Sequence, residues 1–234
     1  MASSVAGRLT EVRERIHAAA RSAGRSPESI RLVAVSKTFP MSSIREAYEA
    51  GQREFGENRV QEGLQKITES TDLSIRWHLL GHLQTNKARK AAASFAMIQS
   101  VDSLVLLEKL DQAAVDESRA PELLIQVDLA GEATKFGVPA QDVPGLLDAA
   151  AACRAVRVVG LMTLPPVPQT PEEARPWFTQ LRRLRDERLA AGVSESMLRE
   201  LSMGMSADFE VAVQEGATIV RVGTAIFGGR HVQR

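Results

Sequence analysis

Eight short apolar runs, each followed by a segment of helical spacing, predict a closed (β/α)₈ barrel with one extra helix at the N-terminus. Two further observations support that class. The chain has 234 residues, close to the roughly 250 of a typical barrel. No Gly-rich dinucleotide fingerprint follows the first strand, which weakens the competing open, doubly wound sheet. The elements follow in order. Val5, Leu9, Val12 and Ile16 share one face of the opening helix. The strands are then read at "RLVAVS" (31–36), "REFGE" (53–57), "IRWHLLG" (75–81), "FAMIQSV" (95–101), "LLIQVDL" (123–129), "VRVVGLMTL" (156–164), "LRELSMG" (198–204) and "TIVRVGTAIFG" (218–228). Between them, stretches such as "MSSIREAYEAGQ" and "LVLLEKLDQAAVDE" repeat apolar residues every three or four positions. "PPVPQTPEEARP" (165–176) reads as a loop and helix start, not a linker. Residues 1–234 therefore form a single domain.

Composition narrows the function classes. Lysine plus arginine and aspartate plus glutamate balance at 29 each. No global field draws the chain to nucleic acid or to an anionic membrane. The start lacks the apolar core of a secretory signal, and no run approaches membrane-spanning length, which points to the cytoplasm. Cys153 is the only cysteine. An internal disulfide is thereby excluded, no zinc spacing exists, and Cys153 reads as a small core residue.

Chemistry in such barrels sits at the C-terminal strand ends. Those ends carry Ser36-Lys37, Glu57-Asn58, "GHLQTNK" (81–87), Ser100 with Asp102, Asp128, Met162-Thr163, "SMGMS" (202–206) and "RVGTAIFG" (221–228). Ser206 before "ADFEVAVQEG" looks like a helix cap, with Asp208 and Glu210 in the first turn. Gly223-Thr224 ends strand eight with backbone N–H groups and a hydroxyl, where barrels frequently bind phosphate. Gly228-Gly229 allows close backbone approach nearby. A phosphate site facing Lys37 suits a phosphorylated aldehyde held as a Schiff base, and pyridoxal 5′-phosphate (PLP) is the common one. Desolvation or nearby positive charge frees the lysine amine to attack. Strand alternation lets Arg221 face the same mouth. A cation at the pyridine nitrogen disfavours its protonation and makes the ring a weaker electron sink. His78 and His82 stand four residues apart, yet on a strand they need not share a face, so no metal site is expected. Trp77 and Trp177 fit packing better than base stacking. Glu57 and Asp128 remain rim carboxylates without fixed partners.

The motifs "VAVSKT", "FGENRVQE", "WHLLGHLQTNK", "SVDS", "QVDLAGEATKFG", "GLMTL" and "LSMGMSADFEVAVQEGATIVRVGTAIFG" run nearly end to end. In order and spacing the chain resembles the pyridoxal phosphate homeostasis family of PLP-binding proteins, which is similar to the N-terminal barrel of alanine racemase standing alone. The resemblance implies Lys37 as the Schiff-base lysine. It implies Ser206, Gly223 and Thr224 at the phosphate and Arg221 beside the pyridine nitrogen, with Asn58, His82, Ser202 and Met203 lining the pocket. Phe136 in "ATKFG" departs from the small residue common there.

Three readings follow. The first is a PLP-binding protein of vitamin B6 homeostasis, which buffers the reactive aldehyde and passes it to apo-enzymes. The second is a low-activity PLP-dependent amino-acid racemase. It needs a second acid/base opposite the lysine, whereas the only tyrosine, Tyr48, falls in the helical "REAYEAG" and the chain stops after strand eight. The third is a barrel that binds a phosphorylated metabolite without covalent chemistry. The first is expected, without robust catalysis, in a monomer.

Overall fold

A computed structural model describes residues 4–131 and 136–229. Residues 132–135, which include the first three of "ATKFG" (133–137), lie outside the described residues. Helix α1 (Val5–Ser22) is capped by Ser4, whose hydroxyl accepts from Gly7 N, and buries the predicted stripe of Val5, Leu9, Val12 and Ile16. Nine strands follow among the described residues. They are β1 (Arg31–Val35), β2 (Glu54–Glu57), β3 (Arg76–Leu79), β4 (Met97–Val101), β5 (Glu122–Asp128), the two-residue β6 (Val138–Pro139), β7 (Arg157–Met162), β8 (Glu200–Ser202) and β9 (Ile219–Val222). All pairings are parallel. The order β4-β3-β2-β1-β9-β8-β7-β5 closes through β4–β5, and β6 hangs on β5 outside the ring. The eight expected strands are thus the eight staves of a closed barrel. Helices α2 (Met41–Glu49), α3 (Val60–Glu69), α4 (Ala88–Ser94), α5 (Leu104–Asp116), α6 (Val143–Ala151), α7 (Arg175–Ala190) and α8 (Phe209–Gln214) intervene, and α9 (Thr224–Phe227) follows β9.

Because strand side chains alternate, each stave presents one face to the helices and one to the barrel interior. The outward residues, among them Phe55 and Leu79, build the larger core with residues of the helical layer such as Phe95 and Phe178. The interior carries a separate apolar layer of Val33, Met97, Leu124, Val159, Met162 and Ile219. At the N-terminal ends of the strands an ionic ring closes the barrel. Arg31 pairs with Glu200 at 2.8 Å and with Glu54 at 3.7 Å, while Arg76 reaches Glu54 at 3.9 Å and also bonds Glu122.

Two local expectations need correction. The run 218–228 is not one strand: β9 ends at Val222, and residues 224–227 wind into the single helical turn α9. Ser206 does not cap the helix that follows it. That helix, α8, starts after Asp208, whose carboxylate accepts from Met205 N at 2.6 Å. The Ser206 hydroxyl instead accepts from Gly223 N at 3.2 Å and Ala225 N at 3.3 Å, holding the β9–α9 turn. Cys153 is half-buried against the core, and burial pushes its thiol up to about 11. Among the described residues no helix is long and apolar enough to cross a membrane.

Candidate functional site

A cavity of about 520 Å³ opens at the C-terminal ends of the strands, and Lys37 stands on its wall directly after β1. The turn that carries Lys37 is held from below. Ser36 N bonds Gly56 O across to β2, and Phe39 N closes back on Ser36 O, both at 3.0 Å. Inside that turn Thr38 sits at φ +69°, a left-handed conformation that costs a non-glycine residue roughly 1–2 kcal/mol. Such strain persists only where surrounding bonds enforce it.

Helix α3 supplies them. Lys66, a cation on the buried face of this helix, donates at 2.8 Å to Ser36 O, to Glu57 Oε1 and to Glu62 Oε1. Glu62 in turn accepts from Thr38 N at 2.6 Å, and Ser36 Oγ donates to Glu57 at 2.6 Å. The backbone is therefore clamped on both sides of Lys37. Glu57 is fully buried; burial raises its carboxyl above the ordinary range, although Lys66 and Ser36 oppose the rise. Its second oxygen has no hydrogen-bond partner among the described residues. This rim carboxylate faces α3 and lies outside the cavity wall. Asp128 is likewise absorbed, by the N–H groups of Ala130 and Gly131.

Across the mouth, Ser206, Gly223 and Thr224 line the cavity together. A Cβ at Gly223 would stand 3.2 Å from Val35 O, a tight contact, so the close approach of β9 to β1 here favours glycine. The floor is Arg221, 3% exposed. Its Nη2 donates to Thr163 O at 2.8 Å and its Nη1 to Ser202 Oγ at 2.5 Å. Burial lowers its guanidinium to about 10, with the charge of Asp208 acting the other way. Apolar walls come from Leu80, Leu164 and Val167.

Asn58 and His82 complete the lining on the β2–β3 side. His82 Nδ1 lies 2.9 Å from Asp102 Oδ2, and its ring stacks on Phe136 with centroids 3.6 Å apart. Phe136 thus forms part of the wall, and Gln126 fixes it by donating to its carbonyl at 2.6 Å. Sequence reading missed Gln126 and this role of Phe136. Ser202 and Met203 fall outside the lining: Ser202 lies one layer deeper beneath Arg221, and Met203 is fully buried in the outer core. His78 points into the barrel and is fully buried, so it does not join His82. Tyr48 is remote, its hydroxyl accepting from Ser74 N at 3.2 Å.

An amine, three hydrogen-bonding groups on a turn and a guanidinium floor around one apolar-walled cavity suit an anionic, aromatic aldehyde. Residues 8–231 match the family model for the alanine racemase N-terminal domain. The chain is 44% identical to the pyridoxal phosphate homeostasis protein of Aquifex aeolicus, over 95% of this chain and 97% of that one. It is 40% identical to that of Pseudomonas aeruginosa over 97% of this chain and 96% of the relative. The chain belongs to the pyridoxal phosphate homeostasis proteins. A solved member of this family, PipY of Synechococcus elongatus with PLP bound, superposes with a TM-score of 0.85 at 44% identity, covering 96% of this chain and 100% of PipY. Alanine racemase of Clostridium difficile shares the barrel alone, with a TM-score of 0.71 at 14% identity over 94% of this chain and 56% of the enzyme.

Proposed function

We propose that this homeostasis protein binds PLP through a Schiff base on Lys37 and serves intracellular vitamin B6 homeostasis as a carrier, not as a robust catalyst. The observation that carries the proposal is the placement of Lys37 and of the Ser206–Gly223–Thr224 turn on the walls of one cavity. The residues fit the group. The N–H groups of Gly223 and Ala225 converge on one point, now the Ser206 hydroxyl, and such donors suit phosphate oxygens. Arg221, held by two hydrogen bonds, offers the ring nitrogen a fixed cation. When bound, PLP supplies an aldehyde carbon open to amines and a ring that withdraws electrons. The Lys37 amine would hold that carbon through a C=N bond, the carbonyl oxygen leaving as water. Delivery to an apo-enzyme would exchange Lys37 for the recipient's lysine at the same carbon and return the Lys37 amine free, and a single chain is the functional unit.

The test begins with the visible spectrum. Added PLP is expected to give an absorption band in the wild type that Lys37→Ala lacks. Borohydride reduction and peptide mapping should place the pyridoxyl group on Lys37. A label on another residue, or no band at saturating PLP, overturns the reading. The carrier role is checked by incubating the loaded protein with L-alanine and resolving the enantiomers. Sustained formation of D-alanine would favour the racemase reading.

A further inference from the structure

The barrel interior holds a line of polar side chains running from the cavity floor to the ionic ring. Arg221 Nη1 lies 2.5 Å from Ser202 Oγ, and Ser202 Oγ lies 2.6 Å from Gln99 Oε1. Gln99 Nε2 lies 2.9 Å from His78 Nδ1, and His78 Nε2 lies 2.6 Å from Glu54 Oε2. The ends fix the direction of every bond. A guanidinium only donates, so Ser202 Oγ accepts from Arg221 and its own hydrogen must go elsewhere. The carbonyl oxygen of Gln99 takes it. The Gln99 amide then faces His78 Nδ1, and its second hydrogen points at Met97 Sδ, 3.6 Å away. His78 Nδ1 must therefore be a lone pair, which leaves the proton on Nε2, facing a carboxylate that only accepts. Four of the five residues are under 5% exposed, and Glu54 is tied to Arg31 and Arg76. An unmade bond in this chain would leave a buried polar group without water.

We propose that this one-directional chain locks Arg221 in place on the cavity floor from the far end of the barrel, and that Gln99 and His78 are positioning residues for it. The chain admits one arrangement. Turning the Gln99 amide over strands the hydroxyl hydrogen of Ser202 and sets the amide oxygen against the lone pair of His78 Nδ1, whereas protonating His78 Nδ1 sets donor against donor at the Gln99 amide. Burial agrees with this, since it lowers the imidazole of His78 below its ordinary range despite Glu54 beside it. The consequence for the site rests on the PLP reading above: Arg221 meets the ring nitrogen at a fixed position and always as a cation.

Two measurements test the chain separately from that reading. In ligand-free protein labelled with 15N-histidine, long-range proton–nitrogen spectra at neutral pH should show His78 neutral, with the proton on Nε2 and Nδ1 bare. The His78→Gln variant assigns the signals. An imidazolium, or the Nδ1–H tautomer, overturns the proposal whatever the ligand. In the PLP-loaded protein, Gln99→Leu should shift the visible band and weaken PLP binding about tenfold, the upper end of the loss expected for one ordinary hydrogen bond. Leu124→Ala, a truncation in the same interior outside the chain, should lower the melting temperature and leave the band in place. Equal band shifts in both variants would reduce the chain to ordinary packing and overturn the positioning role. Arg221→Ala reports on the cofactor reading alone. If that variant leaves band and affinity unchanged, Arg221 is not the ring partner, and the His78 tautomer still decides the chain.

Discussion

At the residue scale, Lys66 shows how a buried helix lysine can hold a strained turn. Its side chain is 8% exposed and its ammonium satisfies three acceptors, two of them carboxylate oxygens. Removing it as Lys66→Met leaves Glu57 buried with no cation and releases Ser36 O. Breaking a buried pair costs about 3–5 kcal/mol, and the low end, near 3 kcal/mol, is expected because Glu57 escapes by taking up a proton. Urea unfolding measures this. The double variant Glu57→Leu/Lys66→Met should recover more than half of the loss, since an apolar pair replaces an ion pair at little net cost. Recovery of nothing would mean that the lost bond to Ser36 O dominates. Sequence reading located Lys37 because it follows an apolar run at a strand end. It passed over Lys66, which looks like any solvated helix lysine until the third dimension turns it inward.

At the element scale, helix glycines show how packing overrides propensity. Gly63 in α3 has Phe95 so close that an added Cβ would stand 2.4 Å from its ring, whereas Gly145 in α6 has nothing within 4 Å. Alanine favours a helix over glycine by about 1 kcal/mol at interior positions. Gly145→Ala, exposed and in the first turn, should therefore stabilise by somewhat under 1 kcal/mol. Gly63→Ala should destabilise by about 1–2 kcal/mol, because Phe95 is fully buried and overpacking outweighs propensity. Thermal melts of the two variants moving in the same direction would contradict the argument. The same scale sets how much of the fold was legible. Strand runs announce themselves because parallel staves are apolar on both faces, and seven of the eight lie within the spans read from sequence, β5 starting one residue earlier at Glu122. The split of 218–228 did not, since "VGTAIFG" is as apolar in a helical turn as in a strand. What winds it is the hydroxyl of Ser206, a contact across 17 and 19 positions of chain. Glu54, His78 and Gln99 were polar residues within apolar strands, a signal of interior hydrogen bonding that spacing could not convert into partners.

For the whole molecule, the polar barrel interior makes stability depend on pH with a sign that can be worked out. Burial holds the imidazole of His78 below its ordinary 6.5, outweighing the carboxylate of Glu54; the charges of Arg76 and Arg31 add to the lowering. The unfolded chain thus takes up a proton as pH falls through about 6.5, while the folded chain does not, and stability falls with acid in that window. Two buried carboxyls act oppositely. Glu57 and Asp208 are raised by burial, so the fold binds their protons before the unfolded chain does and gains stability as pH drops toward the ordinary carboxylate range. Glu54 and Glu62 are held low: burial opposes their ionisation, and hydrogen bonds with nearby cations outweigh it. Their contribution is lost only on further acidification, as pH falls below about 4.5 and through their depressed folded values. Below the ordinary histidine value the histidine and the two raised carboxyls act in opposite directions. A difference measurement isolates the histidine. The unfolding free energy of wild type minus that of His78→Gln should fall with acid from about pH 6.5, with a limiting slope of about 1.4 kcal/mol per pH unit, the value for one proton. The absolute offset between the proteins carries the broken chain and is immaterial; the slope carries the protonation. A flat difference would mean that the fold protonates His78 as readily as the unfolded chain does, and the imidazole would then be a cation against Glu54.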